Sequence, residues 1–132
     1  MLLVDANVLI DITTRDPDWA GWSEAQLASA LAAGDVGINE IIFAELSVGF
    51  DRFDEVRLVV DSLQLVMLPL SEQVCFRAGQ AFANYRHQGG RRANVLSDFF
   101  IGAHAELLHV PVLTRDTRRF RAYFPTVALI TP

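Results

Sequence analysis

The sequence predicts a three-layer α/β/α fold with a mainly parallel, five-stranded sheet. Three observations carry that expectation. Short, continuous apolar runs of strand length alternate with longer segments whose apolar residues recur every three or four positions. Capping and breaking residues stand between them, among them Gly34, Asn39, Pro69 and Ser71. No repeat, linker or low-complexity tract interrupts the alternation, and 132 residues suit one domain, 1–132.

The elements follow in order. Leu2-Leu3-Val4 is a buried strand that ends at Asp5. Ala6 to Ile12 turns into a short helix, and Thr13 to Asp18, polar and containing Pro17, is a loop. Trp19 to Ala33 is helical, with Leu27 and Leu31 four apart, and Gly34 ends it. Asp35 to Ile38 is the second strand. Asn39 caps a helix running through Ile41, Ile42, Glu45, Leu46, Val48 and Gly49. Asp51 to Leu63 forms another, with Phe53, Val56, Val59 and Val60 inward. Leu65 to Leu68 is the third strand, and Ser71 caps a helix reaching His87 whose apolar face is Val74, Ala78, Ala81 and Phe82. Gln88-Gly89-Gly90-Arg91-Arg92 reads as a flexible basic loop. Ser97 caps a helix from Asp98 to Leu108. Val110 to Leu113 is the fourth strand, where an early Pro111 is tolerated. Thr114 to Tyr123 is a turn and a short helix, and Val127 to Ile130 is the fifth strand.

Composition removes several function classes. The chain is 52% hydrophobic and 20% charged, too apolar for disorder. All eleven basic residues are Arg, against sixteen acids, for a net charge of -5. A basic coat protein is excluded, and so is chemistry that needs a Lys: Schiff bases, Walker loops and phosphoryl receivers. A dehalogenase-like phosphatase wants Asp-x-Asp after the first strand, where this chain has Asp5-Ala6-Asn7, and a Rossmann turn is absent. The single Cys75, in an apolar run, reads as a small core residue. With no disulfide possible within the chain, no leader-like pattern in Met1 to Ile12, and no apolar run of about 18 residues, the expected location is cytoplasmic, off the membrane. Residues 1–76 hold thirteen acids and three Arg, while residues 77–132 hold three acids and eight Arg. That asymmetry allows an acidic site beside an arginine-rich rim, as a nucleic acid bound over a metal requires.

Four acids stand in informative places. Asp5 follows the first strand directly, Asp116 lies three residues past the fourth, Asp98 opens a helix, and Glu45 lies on the apolar side of one. Ligands of parallel sheets bind beyond the strand C-terminal ends. Carboxylates beside buried runs are costly unless paired or metal-bound. Together they suggest a shared Mg²⁺ or Mn²⁺, which favours carboxylate oxygens, and phosphodiester hydrolysis is the usual chemistry of such a site. Singly, each has an ordinary alternative: a cap for Asp5, a turn for Asp116, a helix start for Asp98, and an outward edge for Glu45.

The same residues resemble the PIN-domain family, specifically its VapC-type toxins of type II toxin–antitoxin systems. Leu3-Val4-Asp5-Ala6-Asn7-Val8-Leu9-Ile10 is similar to the family's first acidic motif and Glu45-Leu46 to its second. Asp98-Phe99-Phe100-Ile101-Gly102-Ala103-His104-Ala105 is similar to the third, and Leu113-Thr114-Arg115-Asp116, followed by Arg118-Arg119-Phe120 and Phe124-Pro125, to the fourth. The motifs span nearly the whole chain, in order and at family spacing. Two departures are Ala6, where many relatives carry Thr or Ser, and Ser97, often Pro or Ala.

The resemblance implies a Mg²⁺- or Mn²⁺-dependent endoribonuclease that hydrolyses tRNA or rRNA with metal-activated water. It makes Asp5, Glu45, Asp98 and Asp116 the metal-binding acids. Asn7 is then expected to steady the cluster, and Thr114 to hydrogen-bond Asp116, Asp5 or a bound water. Arg115 is expected to clamp phosphate or pair with a site carboxylate. Arg91, Arg92, Arg118, Arg119 and Arg121 are candidates for a phosphate-binding rim. His104, about 240° around the helix from Asp98, is expected to be packed or at an interface. Trp19, Trp22, Phe43, Phe50 and Phe53 are read mostly as core, some of them lining a groove for the C-terminal segment of a VapB-type antitoxin. A homodimer is implied by the same resemblance. The alternatives left open are a PIN nuclease of RNA processing or structured DNA, and a non-catalytic binding protein of the same fold.

Overall fold

The computed structural model describes residues 1–132, the side chain of Ala93 excepted. Among the described residues the chain forms β1 (Leu2–Val4), α1 (Ala6–Thr14), α2 (Ala20–Ala33), β2 (Val36–Ile38), α3 (Glu40–Ser47) and α4 (Phe53–Ser62). It continues through β3 (Val66–Met67), α5 (Glu72–His87), a 3₁₀ turn (Ala93–Val95), α6 (Leu96–Leu108), β4 (Val112–Leu113), α7 (Arg118–Tyr123) and β5 (Leu129–Ile130).

The five strands form one sheet in the order β3-β2-β1-β4-β5, and every pairing is parallel. The fold class read from the sequence is therefore borne out, with the sheet wholly rather than mainly parallel. Leu3 of β1 pairs with Gly37 on one side and Val112 on the other. The chain winds outward from β1 through β2 to β3, then crosses back to β4 and β5. The strand order thus reverses between β1 and β4, which opens a crevice at their C-terminal ends. Asp5 follows β1 there, and Thr114 follows β4.

Leu3, Val4, Val36, Ile38, Val112 and Leu113 have no exposed surface, as strands covered on both faces should. One core cluster joins these strands to Leu9, Leu27, Ile42, Leu46, Val60 and Ile101. A second gathers Val74, Ala78 and Ala81 of α5 with Phe99 and Ala103 of α6 and Phe124. Helix α6 contributes to both, so it is buried nearly all round. Gly102 makes this possible: a Cβ there would run into the Phe124 ring. Arg77 locks α5 to α6 through both carboxylate oxygens of Glu106, at 2.6 and 3.1 Å, with its guanidinium 5.0 Å from the centre of the Phe124 ring.

Local signals mostly place the elements where the sequence put them. Asn39 caps α3 by accepting from the Ile42 N–H at 2.9 Å, and Ser71 caps α5 through the Val74 N–H at 3.2 Å. Four expectations need correction. Helix α1 runs on to Thr14, because the Thr13 and Thr14 hydroxyls bond back to the Ile10 carbonyl; Arg15 then ends it in the left-handed region at φ 53°. Phe53 is exposed, not inward, since it sits at the first position of α4, before the buried Val56 and Val60. Cys75 is exposed, because Val74 and Ala78 occupy the inward face of α5. Ser97 is not a cap: the 3₁₀ turn starts the helical path earlier, and Ser97 falls inside the first turn of α6.

Candidate metal centre

The four acids reach the crevice from four places: the end of β1 (Asp5), the middle of α3 (Glu45), the first turn of α6 (Asp98) and the loop after β4 (Asp116). Asp5 occupies the N-cap position of α1, yet its side chain makes no cap hydrogen bond. Its Oδ2 instead accepts from the Thr114 hydroxyl at 2.7 Å and from Asn7 Nδ2 at 3.3 Å. Asn7 Nδ2 also reaches Thr114 Oγ1 at 3.2 Å, and the Asp116 N–H donates to that same oxygen at 3.1 Å. One side-chain network therefore ties the ends of β1 and β4 together, as expected for Asn7 and Thr114. The ordinary cap reading of Asp5 falls with it.

Glu45 is turned inward. Its Oε2 accepts from the Ser97 hydroxyl at 3.2 Å, while its Oε1 is buried without a hydrogen-bond partner. A buried carboxylate oxygen left in that state is costly. Asp98 and Asp116 are both held by Arg119: its Nε lies 3.1 Å from Asp98 Oδ2, and its Nη2 lies 3.3 Å from Asp116 Oδ2. Arg118 adds an exposed contact to Asp116 Oδ1 at 3.5 Å, and its N–H donates to that oxygen at 3.3 Å.

The electrostatics follow from this geometry. Burial pushes Asp5 up to about 7, with the charges of Asp98 and Glu45 adding to it and the Thr114 hydrogen bond opposing it. Burial also raises Glu45, against the Ser97 hydrogen bond and with help from Asp98. Asp98 is raised by burial, Arg119 opposing through its hydrogen bond and its charge. For Asp116, burial is the largest influence and pushes upward, but the hydrogen bonds from Arg118 and the charges of Arg119 and Arg118 together hold it below its ordinary value.

Among the described residues no three His, Cys, Asp or Glu side chains stand at metal-holding spacing. The acids are electrostatic neighbours, but two of them are turned to Arg119. The donor set still fits a hard dication: it is all oxygen, it includes one orphaned buried oxygen on Glu45, and no guanidinium touches Asp5 or Glu45 among the described residues.

Arg115 is a correction. It pairs with none of the four acids. Its Nε and Nη2 grip Asp11 at 2.7 and 2.8 Å, and its guanidinium lies 4.8 Å from the centre of the Trp19 ring. Asp11 is 3% exposed and also accepts from Ser23 Oγ at 2.8 Å. Sequence reasoning missed Asp11, although the argument used for the other acids, a carboxylate inside an apolar helix, applied to it. It also set Ser97 aside as a cap, where the structure has it hold Glu45. Arg119, read as rim, is inside the site, whereas Arg91, Arg92, Arg118 and Arg121 are exposed. His104 is packed as expected, 2% exposed, its Nδ1 facing Asn39 Nδ2 at 3.0 Å.

A family model for the PIN domain matches residues 2–124. The chain belongs to the PIN domain family. Solved PIN-fold neighbours agree at the level of the backbone. VapBC2 from Rickettsia felis, bound to a DNA fragment from its promoter, has a TM-score of 0.76 at 18% identity, covering 99% of this chain and 98% of that one. VapBC from Salmonella typhimurium, also DNA-bound, has a TM-score of 0.72 at 22% identity, covering 99% and 98%. FitAcB from Neisseria gonorrhoeae has a TM-score of 0.69 at 24% identity, covering 98% and 96%. No curated protein matches the chain in sequence. Among the described residues no helix is long and apolar enough to cross a membrane.

Proposed function

We propose that this PIN domain is a Mg²⁺- or Mn²⁺-dependent endoribonuclease, the VapC-type toxin of a type II toxin–antitoxin module. The observation that carries the reading is the orphaned Glu45 Oε1, buried near an Asp5 that no cation neutralises, at the reversal point of a parallel sheet. Asp5, Glu45, Asp98 and Asp116 would hold the ion, which when bound supplies charge neutralisation at the scissile phosphate and activates water for attack. Thr114 and Asn7 fix the Oδ2 side of Asp5, so that carboxylate meets its ligand with little reorganisation. Ser97 does the same for Glu45. The exposed Arg91, Arg92, Arg118 and Arg121 supply phosphate contacts to a single-stranded or looped RNA such as tRNA or rRNA.

The partner reading has its own support. A groove of about 410 Å³ is lined by Ile10, Thr13, Leu46, Val48 and Phe50, and Glu45 stands on its wall. Phe53 and Leu58 leave further apolar surface exposed on the neighbouring helix α4. A VapB-type antitoxin laying an amphipathic segment there would reach the acids as well. The solved neighbours include a toxin–antitoxin complex from Klebsiella pneumoniae. Cytoplasmic action and a homodimer belong to the same reading, and light scattering on the purified chain checks the dimer.

The test is RNA-end mapping after induction, comparing wild type with Asp5→Asn. The expected result is growth arrest with one reproducible cleavage site bearing a 3′-hydroxyl and a 5′-phosphate, lost in the variant and relieved by a cognate antitoxin. A 2′,3′-cyclic phosphate end, or an equal effect from Asp5→Asn, overturns the reading.

A further inference from the structure

The acids of the cluster differ in what already neutralises them. Arg119 stands on α7, three residues beyond Asp116, and its side chain is only 12% exposed. Its fork spans two carboxylates carried by different parts of the chain: Asp98 on the first turn of α6, and Asp116 on the loop after β4. Neighbouring Arg118 is 70% exposed and touches Asp116 alone. Arg119 is thus built into the site, where Arg118 lies over it.

Asp98 is the acid whose charge bears on both Asp5 and Glu45, and Asp116 in turn bears on Asp98. Asp98 is therefore the electrostatic hub of the cluster, and Arg119 sits on it. A guanidinium stays charged at every working pH, so this neutralisation does not titrate away. Meanwhile Glu45 Oε1, the one buried side-chain oxygen without a partner among the described residues, is not among the contacts of Arg119. A dication that entered at Asp5 and Glu45 and then drew on Asp98 or Asp116 would have to take oxygens that Arg119 now holds.

We propose that Arg119 is a resident counter-ion that competes with the divalent cation for Asp98 and Asp116 and is displaced from them when the cation binds. The inference rests on the metal-dependent reading above and adds a device to it: the cluster is charge-balanced on one side before any ion arrives. Metal affinity is set lower as a result. By thermodynamic reciprocity, the ion weakens the Arg119 contacts by the factor by which those contacts weaken the ion.

The test is calorimetric Mn²⁺ titration of the full chain at neutral pH, with wild type, Arg119→Gln and Arg119→Lys. The expected result is about tenfold tighter binding in Arg119→Gln, within the usual range of coupling between two sites, and wild-type-like affinity in Arg119→Lys, which keeps the charge. Alongside it, the Arg119 Nε–H resonance of wild type is followed by NMR through a Mg²⁺ titration. It should move toward the position of a free arginine as the ion saturates, a readout that needs no variant to fold and no RNA to be cut. Equal affinity in wild type and Arg119→Gln, or an Arg119 resonance that stays fixed through saturation, overturns this proposal alone. No binding by any of the three proteins overturns it together with the metal-dependent reading.

Discussion

The two halves of the acidic crevice use the same side chains to opposite ends. On the α6–α7 side, Arg119 bridges Asp98 and Asp116, and Asp116 lies below its ordinary range despite burial. On the β1–α3 side, Asp5 and Glu45 are steadied only by neutral donors, Thr114, Asn7 and Ser97, and burial drives both upward, Asp5 to about 7. Of the two carboxylates that Arg119 holds, Asp116 therefore stabilises the fold at neutral pH, while burial still raises Asp98 against the guanidinium. A carboxylate fixed by hydroxyls and an amide keeps its shape while its negative charge stays uncompensated, the condition of a ligand waiting for a cation. The comparison separates the part of the site that holds itself together from the part that lacks a partner.

The largest effect should come from breaking the uncompensated half. Asp5→Asn should lower RNA cleavage by at least about three orders of magnitude, roughly 4 kcal/mol of transition-state stabilisation. The same variant should make the ion-free protein more stable at pH 8. Asp5 has a folded value near 7 against 3.8 when free, so its ionisation opposes folding. That penalty is absent below about pH 4, grows between about pH 4 and 7, and is complete above, where it reaches on the order of 4 kcal/mol at most. Thermal melts at pH 5 and pH 8 check the sign: the gain of Asp5→Asn over wild type must be larger at pH 8. A loss at pH 8 would mean that Asp5 is already compensated and that the two halves do not differ.

A third, fully compensated carboxylate calibrates the contrast. Asp11 is buried and accepts from Arg115 twice and from Ser23 once. Asp11→Ala should cost about 3 kcal/mol in urea unfolding, because it strands a partly buried guanidinium. Its effect on stability is then opposite in sign to that of Asp5→Asn at pH 8, although both positions lie on the same short stretch of chain.

Packing tests the mount of the hub. Gly102→Ala places a Cβ of α6 against the ring of Phe124, the residue that ends α7. Overpacking there should cost about 2 kcal/mol, read as a lowered midpoint at unchanged m value. Since Asp98 rides on α6 and Arg119 on α7, the same shift should loosen their 3.1 Å contact and leave the Asp5–Thr114 network intact.

How much of this was legible in the sequence divides along the same line. The five-stranded sheet, its largely parallel character and most helices were readable because apolar runs and caps are local: Asn39 and Ser71 act within one turn of their own helices. Asp5, Glu45, Asp98 and Asp116 could be singled out because a carboxylate beside a buried run needs a reason to be there. What was not readable depended on direction across space. Arg115 and Arg119 stand four residues apart on one basic segment, yet the first turns to Asp11, 104 residues away in sequence, and the second to Asp98. Ser97 carried a local signal, a hydroxyl next to a helix start, that pointed to a cap. The 3₁₀ turn before it moved the helix start, and a tertiary partner 52 residues distant took the hydroxyl. Phe53 and Cys75 failed for a simpler reason: a helix face is fixed by its most apolar stripe, and each lies just off that stripe.

The smallest expected effect is the one that Ser97 makes measurable. Its hydroxyl is the sole hydrogen-bond donor to the Glu45 carboxylate among the described residues, at 3.2 Å, and the other oxygen of that carboxylate already has none. Ser97→Ala removes the one contact that lowers Glu45 against burial and the Asp98 charge, so the carboxyl must rise further. A neutral hydrogen bond is worth about 1 kcal/mol, which bounds the loss of RNA cleavage at roughly tenfold, with global stability changed by no more than that. The loss should not be uniform in pH. Glu45 must be ionised to hold a cation, so the ascending limb of the rate profile should move to higher pH and the deficit should shrink as the medium becomes alkaline. A parallel downward displacement of the whole profile would instead mean that Ser97 only packs against α3. Ser97→Thr, which keeps the hydroxyl, should restore the wild-type limb where Ser97→Ala does not, and that rescue distinguishes a donor to Glu45 from a small residue that merely fits.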